Sequence, residues 1–422
     1  MAVEHADMVG SSINEGLRAL LRDDPRLTRN PYPFYGRLRE KAPVHRLGSL
    51  VFVSTHAEAR RLYLDHRRLA NKSPEATDPG EALSLLGDAE KRMYNELLEF
   101  ELGYVSRKDG GDHIRIRSAA QPAFAPRCIA ELEATVGELT DELLDELSRQ
   151  ESPDLMELAH RLPLLVITAM LGAPRKDAER LKRWCDDING RRRRMPARPE
   201  LVQRAKQGLA KYRQYVSEII EHGESEPRTG LVATLLAAEG RGQLTRDELV
   251  ATYALVLHAG HLTTANLIGN GVLALLKHRN QWRLLRDDLS LAPGAVEETF
   301  RYDAPVQLSL RTAAVDLELS AVEIPAGTPV ALLIGAANRD PKVFSRPDDV
   351  DITRRGNDHL ALGHGVHFCL GGPLARLQGQ VVFSTLARRF PGTKLAADPD
   401  TLPRSTGASM RGVMSLPVKF GA

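Results

Sequence analysis

The run from Leu249 to Lys277 constrains this chain more than any other stretch. Wound at 3.6 residues per turn it is apolar on nearly every side, so a helix here belongs inside a protein rather than on its surface. It also carries His258, His261, Thr263, Thr264, Asn266 and Asn270. That is too much polarity for a membrane span, and no other stretch reaches ~20 apolar residues. Thr245 with Glu248 three residues on forms a capping box that opens the helix, and the pattern runs on to about His278. At 1.5 Å per residue the rod is roughly 45–50 Å long. The spacing predicts a helix crossing the middle of a sizeable fold.

Around it the composition is that of an ordinary globular protein, with 42% hydrophobic and 27% charged residues among 422. At ~150 residues per domain that length allows two or three domains or one large enzyme. No Pro/Ser-rich linker divides the chain, so a single domain over residues 1–422 with α-rich and β-rich lobes is the reading. Lys plus Arg (57) nearly balances Asp plus Glu (55), leaving +2. Such a balance gives no bulk electrostatic case for nucleic acid or an anionic membrane as partner. Cys128, Cys185 and Cys369 are too few and too scattered for a disulfide framework, and no CxxC pair exists. The N-terminus lacks the basic start and apolar core of a secretory signal. A cytoplasmic protein is expected.

Helical patterns dominate from Ile129 to Lys277. Ile129, Leu132, Val136, Leu139, Leu143 and Leu147 recur at helical spacing, so Arg127 to Arg149 reads as one amphipathic helix. Strand patterns cluster at Ser49 to Ser54, at Val322 to Ala336 around a Pro325-Ala326-Gly327 turn, and at Val413 to Phe420. The fold class is mainly α with small β-sheets. Two connections stand out. Arg191 to Arg194 beside Pro196 and Pro199 reads as a solvated loop, or as a basic lid over an acidic substrate. Glu75 to Gly111 is a long connection of the kind that often binds ligands.

The strongest chemical signal is the segment 359–373, HLALGHGVHFCLGGP. Cys369 ends a glycine-rich loop immediately before a helical pattern, Leu374 to Phe390, which Pro373 opens. Backbone N–H groups and the dipole at a helix start lower a thiol pKa and hold a thiolate. Glycines 363, 365, 371 and 372 let the backbone approach a flat, bulky ligand. Two rival readings stay open on these residues alone. One is a small buried cysteine beside a turn; the other is a zinc site from His364, His367 and Cys369, with His359 as the only evident fourth ligand.

The segment resembles the haem-binding signature F-x-x-G-x-H-x-C-x-G of the cytochrome P-450 superfamily, with Leu362 in the place of the usual Phe. Glu298-Thr-Phe-Arg301 is similar to the family's E-x-x-R motif, and Arg354 stands where that motif finds its third partner. Asn30-Pro31-Tyr32-Pro33 and Asn338-Arg339-Asp340-Pro341 match further family strings, so the resemblance spans the chain. It implies the cytochrome P-450 fold, with the long central helix over a haem b whose iron is bound by the Cys369 thiolate. Gly260, Leu362 and Gly371 are implied to border the ring, Gly260 by permitting close approach. His113 and Arg117 (in His113-Ile-Arg115-Ile-Arg117), Arg311 and His367 are implied to meet the haem propionates, which need charge-assisted donors.

Ala259-Gly260-His261-Leu262-Thr263-Thr264 resembles the family's A-G-x-(D/E)-T-T oxygen-activation motif. Thr263, with Thr264, is implied to support bound dioxygen and a water, a mid-helix Thr being able to bond a carbonyl one turn back. Leu262 stands where the family has an acid and carries no proton. His258 or His261 then becomes a candidate relay. Substrate contacts are implied at Ala259, Thr264, Val306, Leu308, Ser309, Ala408, Ser409 and Met410, with a loop around Met93 to Tyr104 closing above them. The implied activity is that of a monooxygenase of antibiotic or other secondary metabolism, taking two electrons from a ferredoxin and its reductase to hydroxylate a C–H bond of a small organic molecule. Oxidative aryl or bis-indole coupling of an aromatic carboxylate is the competing chemistry, and a haem-thiolate sensor or electron carrier the non-enzyme alternative.

Overall fold

The computed structural model describes residues 12–71, 83–190, 196–222, 230–405 and 407–421. The arginine run 191–194 and the start of the long connection, residues 75–82, lie outside them. The chain divides into two compact units, Met1–Ala70 with Glu133–Leu162 and Thr263–Ala422, and Asn71–Leu132 with Pro163–Leu262.

The first unit holds the strands: β1 (Val44–Leu47), β2 (Leu50–Val53), β3 (Leu69–Ala70), β4 (Leu308–Ala313), β5 (Leu317–Leu319), β6 (Val322–Ile324), β7 (Pro329–Leu333), β8 (Lys394–Leu395) and β9 (Val418–Lys419). Five of them form a sheet in the order β1-β2-β7-β4-β3, with β2 parallel to β7 and the other pairs antiparallel. The period-2 alternation of strand side chains sorts β2 and β7 onto two cores. Val51, Val53, Val330 and Leu332 pack with Ala59, Leu62 and Tyr63 of the helix His56–Leu64. Phe52, Ala331 and Leu333 face Phe34, Tyr35 and Leu38 of the helix Tyr32–Lys41. Both faces are covered, which is why these strands read as unbroken apolar runs.

The expected turn at Pro325-Ala326-Gly327 separates β6 from β7, with Gly327 at φ +83°, a value that favours glycine. The β-rich run stops earlier than expected, because Ile334–Ala337 coils into one helical turn. The terminal strand shrinks to Val418–Lys419, while Val413 makes only a single bridge to Arg404. Pro417 has no N–H to extend the ladder. The single helix expected over Arg127 to Arg149 is two, Pro126–Ala130 and Glu133–Ser148. The break falls where the chain passes from one unit to the other.

A buried ion network ties the first unit's N-terminal helices to its C-terminal turn. Asp303 accepts hydrogen bonds from Arg411 Nε (2.6 Å), Tyr32 Oη (2.6 Å) and Arg404 Nη1 (3.3 Å). Arg411 also donates to the carbonyls of Thr28 and Arg29, at 2.5 and 2.9 Å. The Arg339 guanidinium lies 3.4 Å from the Tyr32 ring centre and 3.9 Å from that of Tyr302. The strings around Tyr32 and Arg339 therefore hold the N-terminal segment in place.

In the second unit the described residues are helical, with no strand. The segment Met93 to Tyr104, expected as a loop, is mostly helix Asp88–Leu102, whose Tyr94, Leu97, Phe100 and Glu101 form its buried face. Gly110 and Gly111, at the end of the long connection, open the helix Gly110–Ala120. The long helix runs Arg246–Lys277, and its capping box is present: Thr245 N donates to Glu248 Oε2 (3.0 Å) and Glu248 N to Thr245 Oγ1 (3.2 Å). Arg115 adds two hydrogen bonds to the Glu248 carboxylate, at 2.8 and 2.7 Å. Among the described residues no helix is long and apolar enough to cross a membrane.

Burial alone would push the Asp303 carboxyl up, but Arg411 and Arg404 outweigh it and hold its pKa at about 2. A depressed carboxyl contributes stability that is present above its unfolded pKa of ~3.9 and is lost as pH falls towards the folded value. Asp303→Asn is expected to cost about 3–5 kcal/mol, because it strands buried arginines. Urea unfolding of the two proteins should show the full gap above pH ~4 and a narrowing gap towards pH 2.

Candidate functional site

The cysteine loop is supported from below by Glu298. This carboxylate, 1% exposed, accepts Arg301 Nε and Nη2 at 2.8 and 2.7 Å. It also accepts Arg354 Nε at 3.1 Å, Asn357 Nδ2 at 3.1 Å and the Asp351 N–H at 2.9 Å. Arg301, fully buried, donates onward to the carbonyls of Asn338, Pro347 and Asp349. An i,i+3 ion pair on a surface helix is worth ~0.2–0.5 kcal/mol. Here both charges of the central pair, Glu298 and Arg301, are buried, so the helix Ala292–Tyr302 is bound to the whole segment that leads into the loop. Asn338 continues the link, its Oδ1 accepting the Leu360 N–H at 2.8 Å.

From Leu360 the chain turns tightly: Gly363 N donates to Leu360 O, Phe368 N to Gly365 O and Cys369 N to Leu362 O (2.8 Å). Gly363 and Gly365 have φ of +73° and +72°. At Gly365 a Cβ would also meet the Tyr63 carbonyl oxygen at 2.9 Å, so no side chain fits there. Cys369 is partly exposed, two residues before the cap of the helix Gly372–Arg389, with Pro373 in its first turn as the sequence indicates. Val366 and Phe368 on the same loop leave 38% and 37% of their surfaces open, and nothing lies within 4 Å of a Cβ built on Gly371. Leu362 is buried, its Cδ1 3.3 Å from the Cβ position of Gly372. A sulfur at a helix start, open apolar side chains and side-chain-free backbone fit a flat, largely apolar group held by a thiolate.

Among the described residues no three His, Cys, Asp or Glu side chains come together as a metal site. His359, the fourth ligand a zinc centre would need, is held by Glu297 at 3.1 Å and by the Ala361 N–H at 3.3 Å. Arg311 on β4 is buried, lies 5.0 Å from the Tyr63 ring centre and donates to Ser309 Oγ and Leu310 O. Tyr63 thus touches both the glycine loop and Arg311.

Of the expected substrate contacts in the first unit, Val306 bridges Met410, and Gln307 N donates to Ser409 O at 2.8 Å. The two segments therefore meet. Leu308 and Ala408 pack against the core that contains Phe34 and Leu38. Ser309 is half-buried and Ser409 exposed.

On the long helix, His258, Ala259 and Leu262 are exposed, whereas His261 and every residue of 264–276 are buried. At helical spacing 258, 259 and 262 share one face, so this is an open stripe in the middle of a mostly covered helix. His261 sits on the covered side at 8% exposure; Thr263 is half-buried and Thr264 buried. Gly260 has a second neighbour to accommodate. A Cβ there would stand 2.7 Å from Ile167 Cδ1, so the missing side chain serves the approach of the helix Leu155–Met170. In the second unit His113 is buried and Arg117 half-buried on one face of Gly110–Ala120. Sequence reasoning passed over Arg115, Glu297 and Asp303; the signal for Arg115 was the acid of the capping box it binds.

Glu298→Gln is expected to lose about 3–5 kcal/mol, since Arg301 and Arg354 keep their charges without a buried counter-ion. Thermal unfolding checks this, and the same change at exposed Glu133 should move the midpoint little.

The family model for Cytochrome P-450 matches residues 87–419. The polyketide biosynthesis cytochrome P-450 PksS of Bacillus subtilis is 33% identical, over 93% of this chain and 96% of that protein. The 6-deoxyerythronolide B hydroxylase of Saccharopolyspora erythraea is also 33% identical, over 92% and 96%. Among solved structures, the crystal structure of CalO2 superposes with a TM-score of 0.84 at 33% identity, covering 94% of this chain and 98% of that one.

Proposed function

Because the chain belongs to the cytochrome P-450 family, and is therefore a haem-dependent oxidoreductase of the monooxygenase type, we propose that it hydroxylates a C–H bond of a secondary-metabolite intermediate, with Cys369 as the iron ligand. The observation that carries the assignment is the setting of Cys369: a partly exposed cysteine at a helix start, on a loop braced by Glu298 and flanked by open apolar side chains. Haem held by a cysteine thiolate supplies the activation of dioxygen with two electrons.

The chain's own residues bind, orient and move protons around that group. The N-terminus of Gly372–Arg389 favours the anionic form of Cys369. Arg311 and His367, with His113 and Arg117, are the cationic or N–H donors proposed for the two propionates. On the long helix Thr263 offers a hydroxyl that both donates and accepts a proton. Leu262 offers none, so proton delivery falls to Thr263 with water, and the exposure of His258 supports it as the relay over buried His261. Electrons would come from a ferredoxin and its reductase. The secondary-metabolite substrate class is supported by relatives named for polyketide biosynthesis and for 6-deoxyerythronolide B hydroxylation.

A second reading, oxidative coupling without oxygen insertion, is favoured by one observation: the residue before Thr263 carries no acid. A solved relative named for C–S bond formation in chuangxinmycin biosynthesis, 32% identical, extends the family beyond hydroxylation.

Turnover under isotopically labelled dioxygen separates the two, since label in the product supports hydroxylation and unlabelled product supports coupling. Cys369→Ser is expected to abolish the thiolate-type band of the reduced, carbon-monoxide-treated protein. Thr263→Val should lower product formation roughly 10²-fold, as for loss of a positioned proton donor, with substrate binding by Soret shift little changed.

A further inference from the structure

Glu297 stands beside Glu298 on the helix Ala292–Tyr302 but sends its carboxylate elsewhere. Its Oε1 accepts Arg376 Nε at 2.6 Å, and its Oε2 accepts Arg376 Nη2 at 3.0 Å and His359 Nε2 at 3.1 Å. The His359 ring is fixed at its other nitrogen, where Nδ1 accepts the Ala361 N–H at 3.3 Å. That leaves the ring proton on Nε2, facing the carboxylate. Phe300 packs against the same ring at 5.3 Å.

The two residues that Glu297 grips flank the cysteine. His359 opens the segment that runs to Cys369, and Arg376 lies two turns beyond it on Gly372–Arg389. One carboxylate thus fastens both ends of the loop, independently of the Glu298 network. Arg376 also folds back towards the loop: its Nη1 is 3.5 Å from the Cβ position of Gly372, in the first turn of the helix. Burial pushes the Glu297 carboxyl up, yet His359 and Arg376 hold it at about 2. The Arg376 guanidinium is held above its ordinary value by Glu297 first, with the charge of Cys369 adding to it.

We propose that Glu297 is a positioning residue for Cys369, and that the Glu297–Arg376 pair sets the electrostatic field at the sulfur. The proposal rests on Cys369 being the haem ligand, as proposed above. Seen from the sulfur, the two charges act in opposite directions. Removing one leaves the other acting without its counter-charge in a half-buried setting, where screening is weaker than in open water. A lone arginine cation favours the reduced, more negative iron–sulfur unit, and a lone glutamate anion disfavours it.

The test is a redox titration of the haem-loaded wild type, Glu297→Gln, Arg376→Gln and the double variant, each with its carbon-monoxide spectrum. Glu297→Gln is expected to shift the potential upward and Arg376→Gln downward. The double variant should return towards wild type, and Glu297→Asp, which keeps the charge, should stay near it. A purely structural clamp would move both single variants the same way, so shifts of one sign, or none, overturn the proposal. If Glu297→Gln does not accumulate folded, Arg376→Gln decides alone: a lower potential supports the proposal, and an equal or higher one overturns it. A wild type without the thiolate-type band removes the haem-ligand assignment and this proposal together, whereas an intact band with unmoved potentials removes only this one.

Discussion

A single carboxylate with almost no solvent contact organises the half of the molecule that carries the cysteine. Glu298 collects two guanidinium groups, a side-chain amide and a backbone N–H, and Arg301 spreads the connection to three carbonyls of the segment 338–349. Buried charge is tolerated only when partners satisfy it fully, so each piece of this segment depends on the rest being in place. The glycine turns of the loop take their starting position from it through Asn338 and Leu360. The arrangement converts a strongly unfavourable desolvation into a unique path for the backbone.

Much of this was legible in the chain. The long helix begins where Thr245 and Glu248 place it and ends within a residue of the predicted stop, because both signals are local. The β6–β7 turn and the helix after Cys369 were legible for the same reason. Glu298 with Arg301 was visible as a spacing, but its depth was not: i,i+3 pairs look alike on a surface and in a core, and only the partners from residues 338–357 distinguish them.

What the sequence hid shares a cause. Gly260 makes room for Ile167, a residue of another helix, which no local pattern encodes. The chain breaks near Leu132 although its apolar spacing continues, because periodicity says nothing about where a chain leaves one compact unit for another. Leu308 and Ala408, expected as substrate contacts, are partly buried against the core that contains Phe34 and Leu38. Which face of a short strand or turn looks inward is set by what arrives from elsewhere in the sequence.

The parallel pairing of β2 with β7 has a consequence for how the chain is made. Val51 waits for Val330, about 280 residues downstream, before its strand has the neighbour that covers its second edge. At 5–20 residues per second a ribosome needs roughly 15–55 s to deliver that neighbour. Through that interval Val51, Phe52 and Val53 form an apolar strand with one unpaired edge in a growing nascent chain, the kind of segment on which chaperones act and at which aggregation starts.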